Sequence, residues 1–150
     1  MFRVSRRLFV TAALTVAAAA CGGTKTSTTS PSTIPAIPTV ISETFSGTLV
    51  RNAAYTHPFS VTDSGDVSVF VLSSVDNRDP NNNAVPIGVS LGTWNGDTCN
   101  IVIAKDNVSP GNTIALTGRA TAAGNLCVRV YDIGFVTPAS ANYELLIDHY

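Results

Sequence analysis

The feature that most constrains the fold of this sequence is a series of short runs in which apolar and polar residues alternate. From Ile41 onward these runs recur about every ten residues and are separated by glycine, proline, asparagine or aspartate. A period of two places every second side chain on one face of a strand, and no stretch of this region keeps the 3.6-residue period of a helix. The pattern predicts an all-β fold, a sandwich or barrel of about eight strands, over residues 41–150.

Two of the predicted strands carry specific expectations about burial. In the third strand, Phe70 and Leu72 lie on the face opposite three alternating valines, which predicts a central strand buried on both faces. In the fourth, apolar residues alternate with Gly88, Ser90 and Gly92, which predicts a strand buried on one face only. The eight predicted strands are residues 45–50, 57–61, 67–73, 87–92, 99–104, 113–118, 126–132 and 143–149.

The N-terminal twenty residues have the organisation of an export signal. Arg3, Arg6 and Arg7 precede an apolar run over residues 8–20 that is too short to span a bilayer of ~30 Å as a helix. Small residues then lead into Cys21, and this resembles the lipobox of bacterial lipoproteins, in which the cysteine is lipidated and becomes the new N-terminus. We predict a signal peptide over 1–20, lipidation at Cys21 and a lipid bilayer as partner. An ordinary signal peptide that leaves Cys21 a free thiol is the alternative.

The predicted route of export has two forms, and both lead to an oxidising compartment. Residues 5–10, with Arg6 and Arg7 at their centre, resemble a twin-arginine signal, and they also fit a general secretion signal. Lipidation of Cys21 leaves Cys99 and Cys127 as an even pair, which predicts a disulfide. A metal or redox pair is the alternative, although no second cysteine or histidine lies at ligand spacing.

Residues 21–40 are predicted to be a tether. Threonine, serine and proline dominate from Thr24 to Val40, and this segment has too little apolar surface to offset the entropy of ordering it. An extended chain of this kind, at ~3 Å per residue, reaches about 50 Å from a bilayer. A first strand within residues 34–41 is the alternative.

The charge pattern argues against a nucleic-acid partner. Charged residues make up 13% of the chain, its formal net charge is −1, and no run of lysine or arginine follows Arg7. Binding to phosphates requires a clustered basic face.

Five segments of the predicted domain follow a recognisable order of strand motifs. A G-x-L strand, an aromatic-containing strand and a strand after a glycine turn come first, and a strand with alternating valines and a strand that begins Y-x-L come last; these segments are residues 45–49, 57–61, 65–69, 123–132 and 143–147. This order resembles that of pre-peptidase C-terminal domains. The resemblance covers nearly all of 43–149 and implies a jelly-roll-like antiparallel β-sandwich. Members often lie at the C-termini of secreted peptidases, and some bind insoluble substrates or calcium.

One loop carries the densest cluster of oxygen-bearing side chains. Asp76, Asp79, Asn81 and Asn83 are weak candidates for calcium ligands, because calcium takes six to eight oxygen ligands. The regular calcium-loop spacing is missing, and Asn and Asp also favour ordinary inter-strand turns. We therefore predict no cofactor.

Trp94 is the candidate ligand contact. It lies beside Asn95-Gly96, the strongest turn signal of the chain, where an exposed indole can stack on a sugar or insert into a partner. Covering the end of the core is the alternative. Arg129 and Asp132 are expected to pair with neighbours across the sheet.

No catalytic set is evident in the sequence. His57 and His149 lie on predicted strands far apart in the chain, and neither a G-x-S-x-G nucleophile turn nor a glycine-rich phosphate loop occurs. The sequence predicts a non-enzymatic lipoprotein of the bacterial cell envelope, held at the outer membrane on its periplasmic or surface face, whose sandwich binds an envelope protein or a glycan. A structural subunit of an envelope assembly is the alternative. The third hypothesis is a hydrolase with a scattered site, or an accessory domain associated with a hydrolase.

Overall fold

The computed structural model describes residues 37–136 and 140–150. Over these residues the chain forms eight strands and no helix, and each strand overlaps one of the eight predicted. The prediction of an all-β fold is therefore confirmed. The strands are β1 (Ile41–Leu49), β2 (Ala54–Val61), β3 (Gly65–Asp76), β4 (Ile87–Trp94), β5 (Cys99–Val108), β6 (Ile114–Ala120), β7 (Gly124–Tyr131) and β8 (Ala141–His149).

The strands form two antiparallel sheets of four. The first sheet has the order β1-β8-β3-β6 and the second β2-β7-β4-β5. β1 pairs with β8, β2 with β7, β3 with β6 and β4 with β5, so the chain follows the path of one long hairpin that is rolled into two layers. This is the connectivity of a jelly roll, as predicted.

The core lies between the sheets and is built from alternate residues of each strand. Val67, Val69 and Val71 of β3 face Val89 and Val128 of the second sheet's strands in one buried cluster. Burial of such side chains contributes about 1.5–3 kcal/mol each. β3 is central, as predicted, but the expectation that its second face is buried was wrong. Residues 70 and 72 are only half-buried, because the described strands form two layers and none of them packs on the outer face of the first sheet.

β4 differs from the prediction in the opposite direction. It was predicted to be buried on one face, yet Gly88, Ser90 and Gly92 on its other face are buried too. The ring of Tyr131 in β7 lies over Gly88, so that a Cβ at this position would overlap the ring. The small residues of β4 thus make a trough that larger side chains of the neighbouring strands fill.

The disulfide between Cys99 and Cys127 is confirmed, and it crosses β4. Its Cα atoms are 5.8 Å apart, although β4 lies between β5 and β7 and strands two positions apart are usually about 10 Å apart. The start of β5 therefore bends over the outer face of β4. Gly92 allows this approach, because a Cβ there would overlap the carbonyl oxygen of Asn100. The register shift beside Gly92 leaves Val102 as the extra residue of a bulge.

The predicted signal segment 1–20, Cys21 and the tether as far as residue 36 lie outside the described residues. Residues 37–40 precede β1 without regular secondary structure. No described segment forms a helix that is long and apolar enough to span a membrane.

Candidate binding site

The outer face of the second sheet carries three depressions in a row. Each has a cross-strand pair of β2 and β7 in its wall, because side chains opposite each other in an antiparallel pair point to the same face. The first depression, about 350 Å³, is lined by Asn52, Ala54, Ile101, Ala104, Arg129 and Tyr131. The central depression, about 370 Å³, is lined by Ala54, Thr56, Trp94, Asp97, Thr98 and Arg129, with Cys99 in its wall. The third, about 340 Å³, is lined by Pro58, Phe59, Ser60, Trp94, Gly96 and Asn125.

Shared residues join the three depressions into one groove. Ala54 and Arg129 line both the first and the central depression, and Trp94 lines both the central and the third. The groove follows β7 from Asp132 to Asn125, which corresponds to about 23 Å at ~3.3 Å per residue. A groove of this length accommodates an extended chain better than a single small molecule.

The turn between β4 and β5 fixes one wall of the central depression. Asn95 Oδ1 accepts the backbone N–H groups of Asp97 at 2.9 Å and of Thr98 at 2.7 Å. Asn95 Nδ2 donates to Thr98 Oγ1 at 2.9 Å, and Gly96 adopts a left-handed conformation with φ of 100°. Asn95-Gly96 thus forms the predicted turn, and its hydrogen bonds hold Asp97 and Thr98 beside the half-buried Trp94.

Arg129 occupies the middle of the groove without a partner. It was expected to pair across the sheet, but within residues 37–136 and 140–150 its guanidinium makes neither an ion pair nor a hydrogen bond. It lies opposite Thr56 of β2 and Ser90 of β4. The Ser90 hydroxyl is buried and also has no hydrogen-bond partner in the described part of the chain. By contrast, Arg119 on the other sheet pairs with Asp66 at 3.0 Å.

Tyr131 closes the floor of the first depression. Its hydroxyl donates to Asp106 Oδ1 at 2.5 Å. Desolvation, together with the hydrogen bond and the negative charge of Asp106, raises the pKa of Tyr131 to about 12. The phenol therefore remains protonated and hydrogen-bonded to Asp106, whereas the neighbouring Arg129 donates to no group in the described part of the chain.

The calcium candidates lie at the end of β3 and in the loop after it, but the loop itself uses oxygens of the two aspartates. The Asp79 carboxylate accepts hydrogen bonds from the backbone N–H groups of Asn81 and Asn83 and from Asn83 Nδ2, at 2.8, 3.2 and 2.6 Å. The hydrogen bond from the Asn81 backbone is the main cause that lowers the pKa of Asp79. Asp76 Oδ1 accepts the N–H of Arg78 at 2.8 Å. These contacts are those of a turn, and the described residues contain no group of three or more His, Cys, Asp or Glu placed to hold a metal.

The two histidines face the interior of the sandwich, His57 from β2 of the sheet that carries the groove and His149 from β8 of the other sheet. His57 belongs to an aromatic cluster with Phe45 and Tyr143, with ring centroids 5.1 and 5.8 Å from its own. His149 is buried, and its Nε2 lies 2.9 Å from Glu43 Oε1. The histidines therefore contribute to the core rather than to the groove.

Comparison with protein-family models finds no match for this chain, and comparison with curated proteins finds none either. The resemblances to bacterial lipoproteins and to pre-peptidase C-terminal domains therefore stay predictions.

Sequence reasoning identified Trp94 but missed the side chains that surround it. Arg129 and Thr56 meet through strand pairing between residues distant in sequence, and Asp97 joins them only because the Asn95 turn folds back. The turn was the one signal in the sequence that could have placed Asp97 near the indole.

Proposed function

We propose that this chain is an exported, lipid-anchored protein of the bacterial envelope, which binds a ligand without catalysis on the outer face of its second sheet. The observation that supports the binding role is Arg129, a half-buried cation that makes no ion pair or hydrogen bond with the described residues, in a groove beside the chain's single tryptophan. A desolvated charge without a partner lowers stability, so its presence in a groove suggests a partner supplied by the ligand.

The anchor is supported by the N-terminal pattern that ends at Cys21. A lipoprotein carries two or three acyl chains, and at ~0.8 kcal/mol per buried CH₂ these give a stable membrane attachment. The test is to express the full chain in a bacterium that is fed radiolabelled palmitate. We expect label in the wild-type protein, which sediments with membranes. The Cys21→Ser protein should take up no label and leave the membrane fraction. Equal labelling of both would refute the anchor.

The binding role is tested with the same Cys21→Ser protein and washed envelope fragments in a sedimentation assay. We expect the fragments to carry the protein down, and Arg129→Gln to reduce the bound fraction several-fold. Arg119→Gln is the matched control, because it removes a cation of the opposite sheet that is already paired with Asp66. Equal loss in both variants would indicate general charge attraction rather than a site.

A structural subunit is the second candidate, and one observation favours it. On the edge strand β5, Ile101 and Val102 are 47% and 71% exposed, and an apolar edge is a surface for association between strands. Sedimentation velocity of the Cys21→Ser protein distinguishes the two. Self-association that Val102→Lys abolishes would support an assembly role, and a monomer at all concentrations would argue against it.

A further inference from the structure

We infer that the central depression takes a neutral sugar residue of an extended glycan. Trp94 would lie against the apolar face of the ring, and Arg129 and Asp97 would bind its hydroxyl groups. This inference rests on the proposed binding role of the same face and adds the chemical class of the ligand.

The central depression contains both hydrogen-bond donors and hydrogen-bond acceptors. The Arg129 guanidinium only donates, and the Asp97 carboxylate only accepts. Both have no ion-pair partner in the described part of the chain, and Asp97 is exposed. The hydroxyl groups of Thr56 and Thr98 line the same depression and can donate as well as accept, and the Thr98 hydroxyl already accepts one hydrogen bond from Asn95 Nδ2. A ligand that satisfies all four must both donate and accept within one small volume, which hydroxyl groups do.

The two charged side chains of the central depression have opposite signs. An anionic ligand drawn to Arg129 would also meet the negative charge of Asp97, and a cationic ligand drawn to Asp97 would meet Arg129. The opposite charges line one depression without contacting each other. A neutral ligand with several dipolar groups fits this arrangement better than a carboxylate, a phosphate or an ammonium group.

The walls of the central depression are rigid, and one of them is the flat face of an indole. Trp94 is half-buried and therefore held in place, so it offers a fixed flat apolar surface against which the C–H face of a sugar ring can pack. The Asn95 turn and the disulfide at Cys99 fix the backbone beside the indole, because Trp94 lies directly opposite Cys99 in the β4–β5 pair. A preformed site lowers the entropic cost of binding, and the two flanking depressions extend it to the length of an oligosaccharide.

The experiment uses the Cys21→Ser chain and the fluorescence of Trp94, which is the only tryptophan. The probes are hexaoses of glucose, xylose, mannose and N-acetylglucosamine, an acidic oligogalacturonate, and an extended uncharged decapeptide. We expect at least one neutral hexaose to change the Trp94 emission in a saturable manner, while the acidic oligosaccharide and the peptide do not. By calorimetry with that hexaose, Trp94→Ala, Arg129→Gln and Asp97→Asn should each weaken binding about tenfold or more. Each removes one central contact worth about 1.4 kcal/mol or more.

The matched controls are Phe135→Ala, which removes an aromatic ring 53% exposed elsewhere on the surface, and Arg119→Gln. Circular dichroism and the melting temperature of each variant show whether it is folded, so that loss of the site is distinguished from loss of the fold.

The remaining outcomes separate this inference from the proposed function. If only the acidic oligosaccharide or only the peptide binds, and Arg129→Gln abolishes that binding, the inference of a neutral glycan is refuted. The proposal that this face binds a ligand is then supported. It is also possible to find that no probe binds while sedimentation with envelope fragments still depends on Arg129. That result would refute the neutral glycan as ligand and would still support a binding role for this face. If a hexaose binds and none of the three site variants weakens it, the site itself is wrong and the proposed function fails with it.

Discussion

The imidazole Nε2 of His57 in β2 and the hydroxyl of Tyr143 in β8 are hydrogen-bonded at 2.8 Å, which joins the two sheets. The Tyr143 ring lies over Gly47, where a Cβ would overlap it, and Phe45 packs against the other side of His57. Burial lowers the pKa of His57 from its ordinary value of 6.5 and raises that of Tyr143, so both side chains are neutral at pH ~7.

This contact makes the stability of the domain sensitive to mild acid. Because the pKa of His57 is lower in the folded than in the unfolded chain, the unfolded chain binds protons more readily. The free energy of unfolding should therefore fall as pH drops through 6.5. We expect a lower urea midpoint at pH about 5.5 than at about 7.5. His57→Gln keeps a hydrogen-bonding partner for Tyr143 but does not titrate, and it should lose part of the difference. An unchanged difference would contradict the role of His57.

The contact of Tyr131 with Gly88 predicts a steep penalty for adding one methyl group. In Gly88→Ala the new Cβ overlaps the Tyr131 ring, which should cost about 1–3 kcal/mol in the free energy of unfolding. Gly124→Ala is the matched control, because nothing lies within 4 Å of its Cβ position, and its change should stay within about 0.5 kcal/mol.

A double-mutant cycle measured by urea denaturation identifies the cause. If the ring is responsible, Gly88→Ala should be much less destabilising in a Tyr131→Ala background than in the wild type. Equal penalties in the two backgrounds would place the cause in the backbone of β4 instead.

The fold was predictable because the alternation of each strand reports its inward face directly. Val67, Val69 and Val71 are buried for this reason, as are Tyr143 and Leu145 of β8. The alternation within each strand did not predict the strand order, which was expected only from the family resemblance, or the second buried face of β4. They depend on which strands become neighbours, and this brings Tyr131 over Gly88 from a position more than forty residues along the chain.

The candidate site was predictable only where a local signal exists. The Asn95-Gly96 dipeptide marks a turn by its backbone preferences, so the position of Trp94 beside a turn follows from sequence alone. Whether Arg129 finds an anionic partner depends on register, and the residues opposite it, Thr56 and Ser90, are neutral. The alternation within β7 predicts on which face of the sheet Arg129 lies, but it does not predict which residues of the neighbouring strands lie beside Arg129.

The disulfide should contribute a large share of the stability of this domain. Its two cysteines are separated by 28 residues, and on the chain-entropy model closing such a loop stabilises the fold by about 3.5 kcal/mol. We expect the Cys99→Ser/Cys127→Ser double variant to lose about this amount in urea denaturation. Reductant should lower the midpoint of the wild type and leave that of the variant unchanged. A midpoint of the variant close to that of the oxidised wild type would show that the bend of β5 over β4 forms without the covalent link.

The carboxylate of Asp132 links the turn after β1 to the loop after β7. Oδ2 accepts the N–H of Asn52 at 2.8 Å, and Oδ1 accepts those of Gly134 and Val136 at 2.8 and 3.1 Å. Desolvation raises the pKa of Asp132, but these hydrogen bonds outweigh it and the net direction is downward.

Removing this link should therefore loosen both segments at the end of the groove that contains Tyr131. We expect Asp132→Ala to lower the free energy of unfolding by about 1–2 kcal/mol at neutral pH, allowing for partial exposure, and Asp132→Asn by less. A lowered carboxyl pKa stabilises the fold in full only above its ordinary value of 3.8. The wild type should therefore begin to lose this contribution as pH falls past 3.8 and lose the rest as pH falls through the lower pKa of the folded state. Thermal melts of the three proteins at neutral and acidic pH check this. Melting temperatures that differ as much in acid as at neutral pH would mean that the Asp132 charge has no part in holding the two segments together.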